Sequence, residues 1–323
     1  MRRIFFLSLG VWFIFSGFKI GEKAPSKNIN PAYSSYLKGL LSERYGDSQR
    51  ALEEYLKAGK FDKESVSLQT RVAVQYIKLN KISKALTILK KLAQKEPVNL
   101  DAYLLLILVY SSQGKEEEAS AVYEEMLSKL YKEKPDNLKV AESLAQFKFQ
   151  KKDFNSALEI YETILKANPE YSDAYFWIGY IYEEKGQRQK AIEFWRQGLK
   201  FNPEHSDILN SLGYIYAEEG INLDEAEVLI KKALEMEPDS PAYLDSLGWV
   251  YFKKGDYSKA KKYIEKAASL MKDPVILEHL GDVYYCSGSR EQAKKIWEEV
   301  LKLQPENKVL EQKLRGENEP CQD

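Results

Sequence analysis

Apolar residues recur along this chain at helical spacing, in pairs of runs parted by glycine-bearing turns. In residues 241–273, Leu244, Leu247 and Tyr251 fall at i, i+3 and i+7, one stripe of an amphipathic helix. Gly255–Asp256 interrupts it. A second stripe of Ala260, Ile264 and Ala267 predicts another helix from about Tyr257 to Met271. No segment alternates with period two, so the pattern predicts an all-α chain. The hairpin then repeats: Ala51, Ala85, Ala119, Ala157, Ala191, Ala226, Ala260 and Ala293 are spaced by 34, 34, 38, 34, 35, 34 and 33 residues. Gly179, Gly213, Gly248 and Gly281 keep the same register, and Gly186, Gly220, Gly255 and Gly288 follow seven residues later. Pro169, Pro203, Pro238 and Pro305 punctuate the ends of the units.

A single helical hairpin cannot bury its apolar face, so such units are expected to stack on a shared core. The glycine of the first helix, a tyrosine three residues later (Tyr182, Tyr216, Tyr251, Tyr284) and the second-helix alanine resemble the tetratricopeptide repeat (TPR) family. The likeness spans 32–307, as units near 32–65, 66–99, 100–137, 138–171, 172–205, 206–240, 241–273 and 274–307. It is looser in the first four, whose glycine column reads Gly39, Ala73, Ile107 and Ala145 and where Lys148 stands in place of the tyrosine. The resemblance implies a right-handed α-solenoid superhelix of about eight helix-turn-helix units with a C-terminal capping helix. Two insertions, at 131–136 and 220–226, are expected in turns, where extra residues cost least. Small residues at 248 and 260 are expected to let helices approach as hairpins stack, so Gly248→Leu should be severe and Gly248→Ala mild.

Both ends differ from the array. MRRIFFLSLGVWFIFSGF opens with two arginines and continues with uncharged residues from Ile4 to Phe18, which reads as a signal peptide or an N-terminal membrane anchor over 1–18. Fifteen helical residues would span roughly 22 Å, short of the ~30 Å hydrocarbon core. That favours cleavage, whereas the lack of an A-x-A site favours retention. Residues 19–31 read as a flexible linker. Val309, Leu310 and Leu314 predict a cap over 308–316, with a disordered tail over 317–323. Cys321 is expected to be a free thiol, a disulfide to Cys286 being the alternative.

Composition mainly excludes. Forty-eight basic residues against forty-nine acidic ones give a net charge of −1, with no basic field for nucleic acid. The two histidines, His205 and His279, lie in different units, and no HExxH, P-loop, GxGxxG or GxSxG sequence occurs. The reading is therefore non-catalytic, without metal or cofactor. The acidic pairs Glu183–Glu184 and Glu218–Glu219 read as solvated helix ends, and His279 as a polar residue of a helix face.

A second stripe lies about 100° round the first helices, three before, one after and four after each column residue. It reads Phe176, Tyr180, Glu183; Asn210, Tyr214, Ala217; Asp245, Trp249, Phe252; and Glu278, Asp282, Tyr285. In TPR proteins the corresponding face lines a concave groove for peptides or proteins. The resemblance thus implies a partner-binding groove of Phe176, Tyr180, Asn210, Tyr214, Asp245, Trp249, Phe252, Glu278, Asp282 and Tyr285, with packing against the next hairpin as the competing role. Its aromatic and acidic lining suits a basic or aromatic partner segment and repels phosphates. Trp249, Tyr214 and Phe176 are the expected anchors, Trp249→Ala costing roughly 2 kcal/mol of partner binding. The expectation is an interaction scaffold of the bacterial cell envelope, exported or tethered through residues 4–18 and facing the periplasm. A cytoplasmic TPR adaptor, and a regulatory subunit or enzyme with an unrecognised site, are the alternatives.

Overall fold

The computed structural model describes residues 30–318 and 320–321. The expected signal or anchor segment and nearly all of the linker lie outside the described residues. Those described form seventeen α-helices and no strand. They fall into two compact units, one through Asp153 and one from Phe154.

The first unit pairs α1 (Pro31–Arg44) with α2 (Ser48–Ala58), α3 (Val66–Lys78) with α4 (Ile82–Ala93), and α5 (Leu100–Ser112) with α6 (Glu116–Glu133), and ends in α7 (Leu138–Gln150). The second opens with α8 (Phe154–Ala167). It continues with the pairs α9 (Ser172–Glu184) and α10 (Arg188–Phe201), then α11 (Ser206–Glu219) and α12 (Leu223–Met236). The pairs α13 (Pro241–Lys253) with α14 (Tyr257–Leu270) and α15 (Pro274–Cys286) with α16 (Arg290–Leu303) follow, and α17 (Lys308–Arg315) closes the chain. Side-chain caps start many of these helices: Asp256 accepts the Lys259 amide at 3.1 Å and Asn307 that of Leu310 at 3.1 Å.

The turn inside each hairpin has one geometry throughout. Seven residues after each column position the backbone is left-handed, at Gly46, Asn80, Gly114, Lys152, Gly186, Gly220, Gly255 and Gly288, with φ between 56° and 84°. Glycine adopts that conformation freely, so six of the eight positions carry it. The insertion near 220 stays in its turn, where Asn222 is also left-handed at φ 48°. The four residues near 131 do not. They extend α6 to 18 residues, because Tyr131, Lys132 and Glu133 continue its helical hydrogen bonding and Lys134 is the cap.

The alanine column is buried from Ala51 to Ala293. The glycine column serves the hairpin itself. Gly248 lies under Ile264 of α14, and a β-carbon there would collide with that side chain and come within 3.2 Å of the Ala260 carbonyl. A β-carbon on Gly213 would come within 2.6 Å of Ile230, and Gly179 and Gly281 lie under Trp195 and Trp297 in the same way. The expectation that Gly248 spaces neighbouring hairpins, and tolerates alanine, is therefore corrected. The glycine is a seat for a large side chain of its own partner helix. The core is also wider than the sequence pattern shows: two residues past the column position in every hairpin after the first, Gln75, Val109, Phe147, Ile181, Ile215, Val250 and Val283 are all buried.

At the C-terminus Leu310 is fully buried with Leu277, Trp297 and Val300, and Leu314 packs beside them, while Val309 faces solvent. Cys286 and Cys321 form a disulfide with a Cα–Cα distance of 5.5 Å. Cys321 is therefore not a free thiol, and the tail is tied back to the end of α15.

Candidate partner-binding face

The second stripe is carried by α9, α11, α13 and α15, and the structure closes it progressively. On α9, Phe176 and Tyr180 are half-buried and stack at 6.0 Å, with the His205 ring 5.8 Å from Phe176. His205 caps α11 through the Ile208 amide, and its Nε2 lies 2.9 Å from Asp173. On α11, Asn210 and Tyr214 are also half-buried. Asn210 Oδ1 is out of reach of water and has no hydrogen-bond donor among the described residues.

The stripe on α13 is covered. Trp249 is only 7% exposed. Its ring stacks on Phe252 at 4.6 Å and on His279 of α15 at 3.9 Å, and its indole N–H donates to Glu218 of α11 at 2.6 Å. His279 in turn pairs with Asp245 at 2.9 Å. Trp249 thus locks three successive first helices together, which is the packing role rather than an open anchor. Phe252 and Asp245 are buried with it. The stripe on α15 is closed in the same way by α17. Lys313 reaches Glu278 at 2.8 Å and both Asp282 oxygens at 2.9 and 2.8 Å, and Trp297 donates to Asp282 at 3.1 Å. Tyr285 lies 5.5 Å from Trp297, with Arg290 over its ring at 5.2 Å.

Electrostatics follow this burial. Burial opposes protonation of His279, but Asp245 beside it, with Asp282 and Glu218 further off, raises its pKa above the ordinary histidine value. Burial pushes the Asp282 carboxyl up, against the pull of Lys313. Glu183 is raised by burial and by Glu184 and Glu218, with Arg188 opposing. Tyr214 is raised strongly by burial and by the carboxylates of Glu218, Asp245 and Glu183. Glu183 and Glu218 are accordingly not plain solvated ends: one is half-buried among negative neighbours, the other holds a tryptophan. His279 is likewise buried and paired with Asp245, not a polar residue of an open helix face.

Sequence reasoning placed the stripe but missed what covers it. His279 and Lys313 each stand two places before the column register of their helix, and each faces the stripe of the helix before. The signal was a histidine and a lysine at matching places, which one hairpin read alone does not expose. Among the described residues no group of three or more His, Cys, Asp or Glu side chains is placed to hold a metal ion. No described helix is long and apolar enough to cross a membrane.

Helical hairpins stacked within each unit, with one regular turn throughout, define helical repeats. Residues 95–197 match the family model described as the tetratricopeptide repeat protein 21 ARM repeat, and residues 241–274 match the tetratricopeptide repeat model. These segments carry tetratricopeptide-repeat sequence, and the broad role of such repeats is protein–protein interaction. Among solved structures, the hetero-tetramer Cut9–Hcn1 of APC/C aligns with a TM-score of 0.55 at 16% identity, over 88% of this chain and 68% of that one. A tetratricopeptide-repeat protein from Parabacteroides merdae aligns at 17% identity over 88% and 98%, with a TM-score of 0.45. A thermophilic one from Thermus thermophilus aligns at 20% over 55% and 97%, with a TM-score of 0.47. No curated protein sequence matches the chain.

Proposed function

We propose that this chain is a non-catalytic scaffold of the bacterial cell envelope that binds a basic or aromatic segment of another protein along α9 and α11. The observation that carries the reading is the open part of the stripe. Phe176, Tyr180, Asn210 and Tyr214 keep part of their surface open there, and the carboxyl of Glu183 beside them is raised by burial and by its negative neighbours. A cation or an aromatic donor arriving at that face relieves the carboxylate repulsion and stacks on rings already in place. Mechanism is passive: the face is preformed, and affinity comes from a few desolvated anchors. Trp249 moves from anchor to support, and Tyr180 takes its place.

Two features support the envelope location. The first eighteen residues have the charge pattern of an export segment. The Cys286–Cys321 disulfide is a bond that persists in oxidising compartments. Photo-crosslinking from a probe at Tyr180, in cells fractionated afterwards, tests both parts. The expected result is one dominant adduct in the envelope fraction, lost with Phe176→Ala. A probe at exposed Lys190 giving the same adduct would sink the assignment of the face.

A further inference from the structure

The residue two places past the column position is buried in every hairpin but the first. There it is Leu41, and Leu41 is 54% exposed. It belongs to a row. Tyr33 (57%), Leu37 (43%), Leu41 and Tyr45 (78%) fall at i, i+4, i+8 and i+12, one apolar stripe along α1 and its C-cap residue with a tyrosine at each end. The opposite side of α1 is engaged: Gly39 lies under Tyr55, and Glu43 is held by the Tyr55 hydroxyl, Arg71 at 3.0 Å and Lys78 at 3.5 Å. Glu43 is thereby neutralised, while Lys38 and Arg44 stand exposed on α1 and Lys19, Lys23 and Lys27 precede it in the linker.

We propose that the Tyr33–Leu37–Leu41–Tyr45 stripe is a lipid-docking face that lays α1 into the headgroup region of an anionic bilayer. This rests on the envelope reading, with residues 4–18 retained as the anchor. The twelve residues from 19 to 30 then reach at most about 40 Å, so α1 is confined to the surface from which the anchor emerges. A second copy of the chain is the poorer occupant. Four half-exposed side chains offer on the order of 400 Å², about half of the ~800 Å² per partner of a standard interface. A tethered helix needs no such area, because the anchor supplies a high local concentration. Tyrosines at both ends suit the interface, and the exposed Lys38 and Arg44 are drawn to anionic headgroups.

The full chain, reconstituted in vesicles of phosphatidylglycerol with phosphatidylethanolamine and separately in phosphatidylcholine vesicles, gives two independent readouts. Flotation reports the anchor, and amide hydrogen exchange over 31–45 reports docking. The expected result is flotation in both, with exchange over 31–45 slowed roughly fivefold or more only in the anionic vesicles. Leu37→Gln with Leu41→Gln should abolish that protection while leaving exchange in α3–α6 unchanged, which also shows that the variant folds. A chain that does not float would overturn the anchor reading and the docking with it. A floating chain whose 31–45 exchange is equal in both vesicles would overturn the docking alone. Protection that rises with protein concentration in detergent, without vesicles, would assign the stripe to a second copy and overturn the proposal.

Discussion

One residue past the column position, the unit from Phe154 onward carries Trp249 and Asp282, both buried; the unit through Asp153 carries Leu108 at that place, 60% exposed, with Leu104 open beside it. The helices themselves do not explain the contrast, since α5 and α13 have the same length and the same turn behind them. What differs is the side chain brought by the next first helix. His279 lies over Asp245 and Trp249, and Lys313 spans Glu278 and Asp282, whereas the matching place on α7 holds the short Ser143. A common backbone register can thus present a sealed ionic seam or an open apolar row, according to one position per unit.

The largest test of this contrast pairs two truncations. Trp249→Ala removes a buried ring that joins three helices and should cost about 3–5 kcal/mol in urea unfolding. Leu108→Ala should stay within about 0.5 kcal/mol, as exposed substitutions do. Equal losses would erase the distinction. Next in size, Gly248→Ala places a methyl against Ile264 Cγ1 and should cost about 1–3 kcal/mol, and markedly less in an Ile264→Ala background, where that carbon is gone. If G248A melts like the parent, the seat assigned to Gly248 is wrong.

A pH series sharpens the seam. The pKa of His279 is raised in the folded state, so its pairing with Asp245 stabilises fully below the unfolded value of about 6.5 and fades as pH climbs through the raised one. The stability gap between wild type and His279→Gln should therefore be widest near pH 5.5 and narrow toward pH 9; a gap that widens with pH would count against the ion pair. The smallest expected effect is at Lys152, left-handed at φ 61° where most units place glycine. Lys152→Gly should gain on the order of 1 kcal/mol, and a loss in thermal melting would show that the lysine side chain does more than occupy the turn.

Much of the fold was legible because it depends on residues within one hairpin. The alanine column and the left-handed glycines each answer to a contact or a dihedral fixed by neighbours close in sequence. The site was legible in position but not in state. Trp249 lies 100° from the core stripe whether it faces a groove or the next hairpin, and only His279, thirty residues later, decides which. Gly248 was read as a spacer between hairpins because periodicity marks a small residue without naming the large one above it, here Ile264. The Cys286–Cys321 bond was hidden for a related reason. The polar sequence after Gly316 looks unstructured, and nothing local says that its cysteine returns to α15.

The seam has a consequence for the order of the units. At one joint the partners are Asp245 with His279, and at the next Glu278 and Asp282 with Lys313. The hairpins share a shape but not an address. A unit moved, duplicated or deleted in this region would stack well by backbone and still present a carboxylate with no cation opposite. The array is therefore spelled in one sequence of joints, and the last of them, Lys313, is where the word ends.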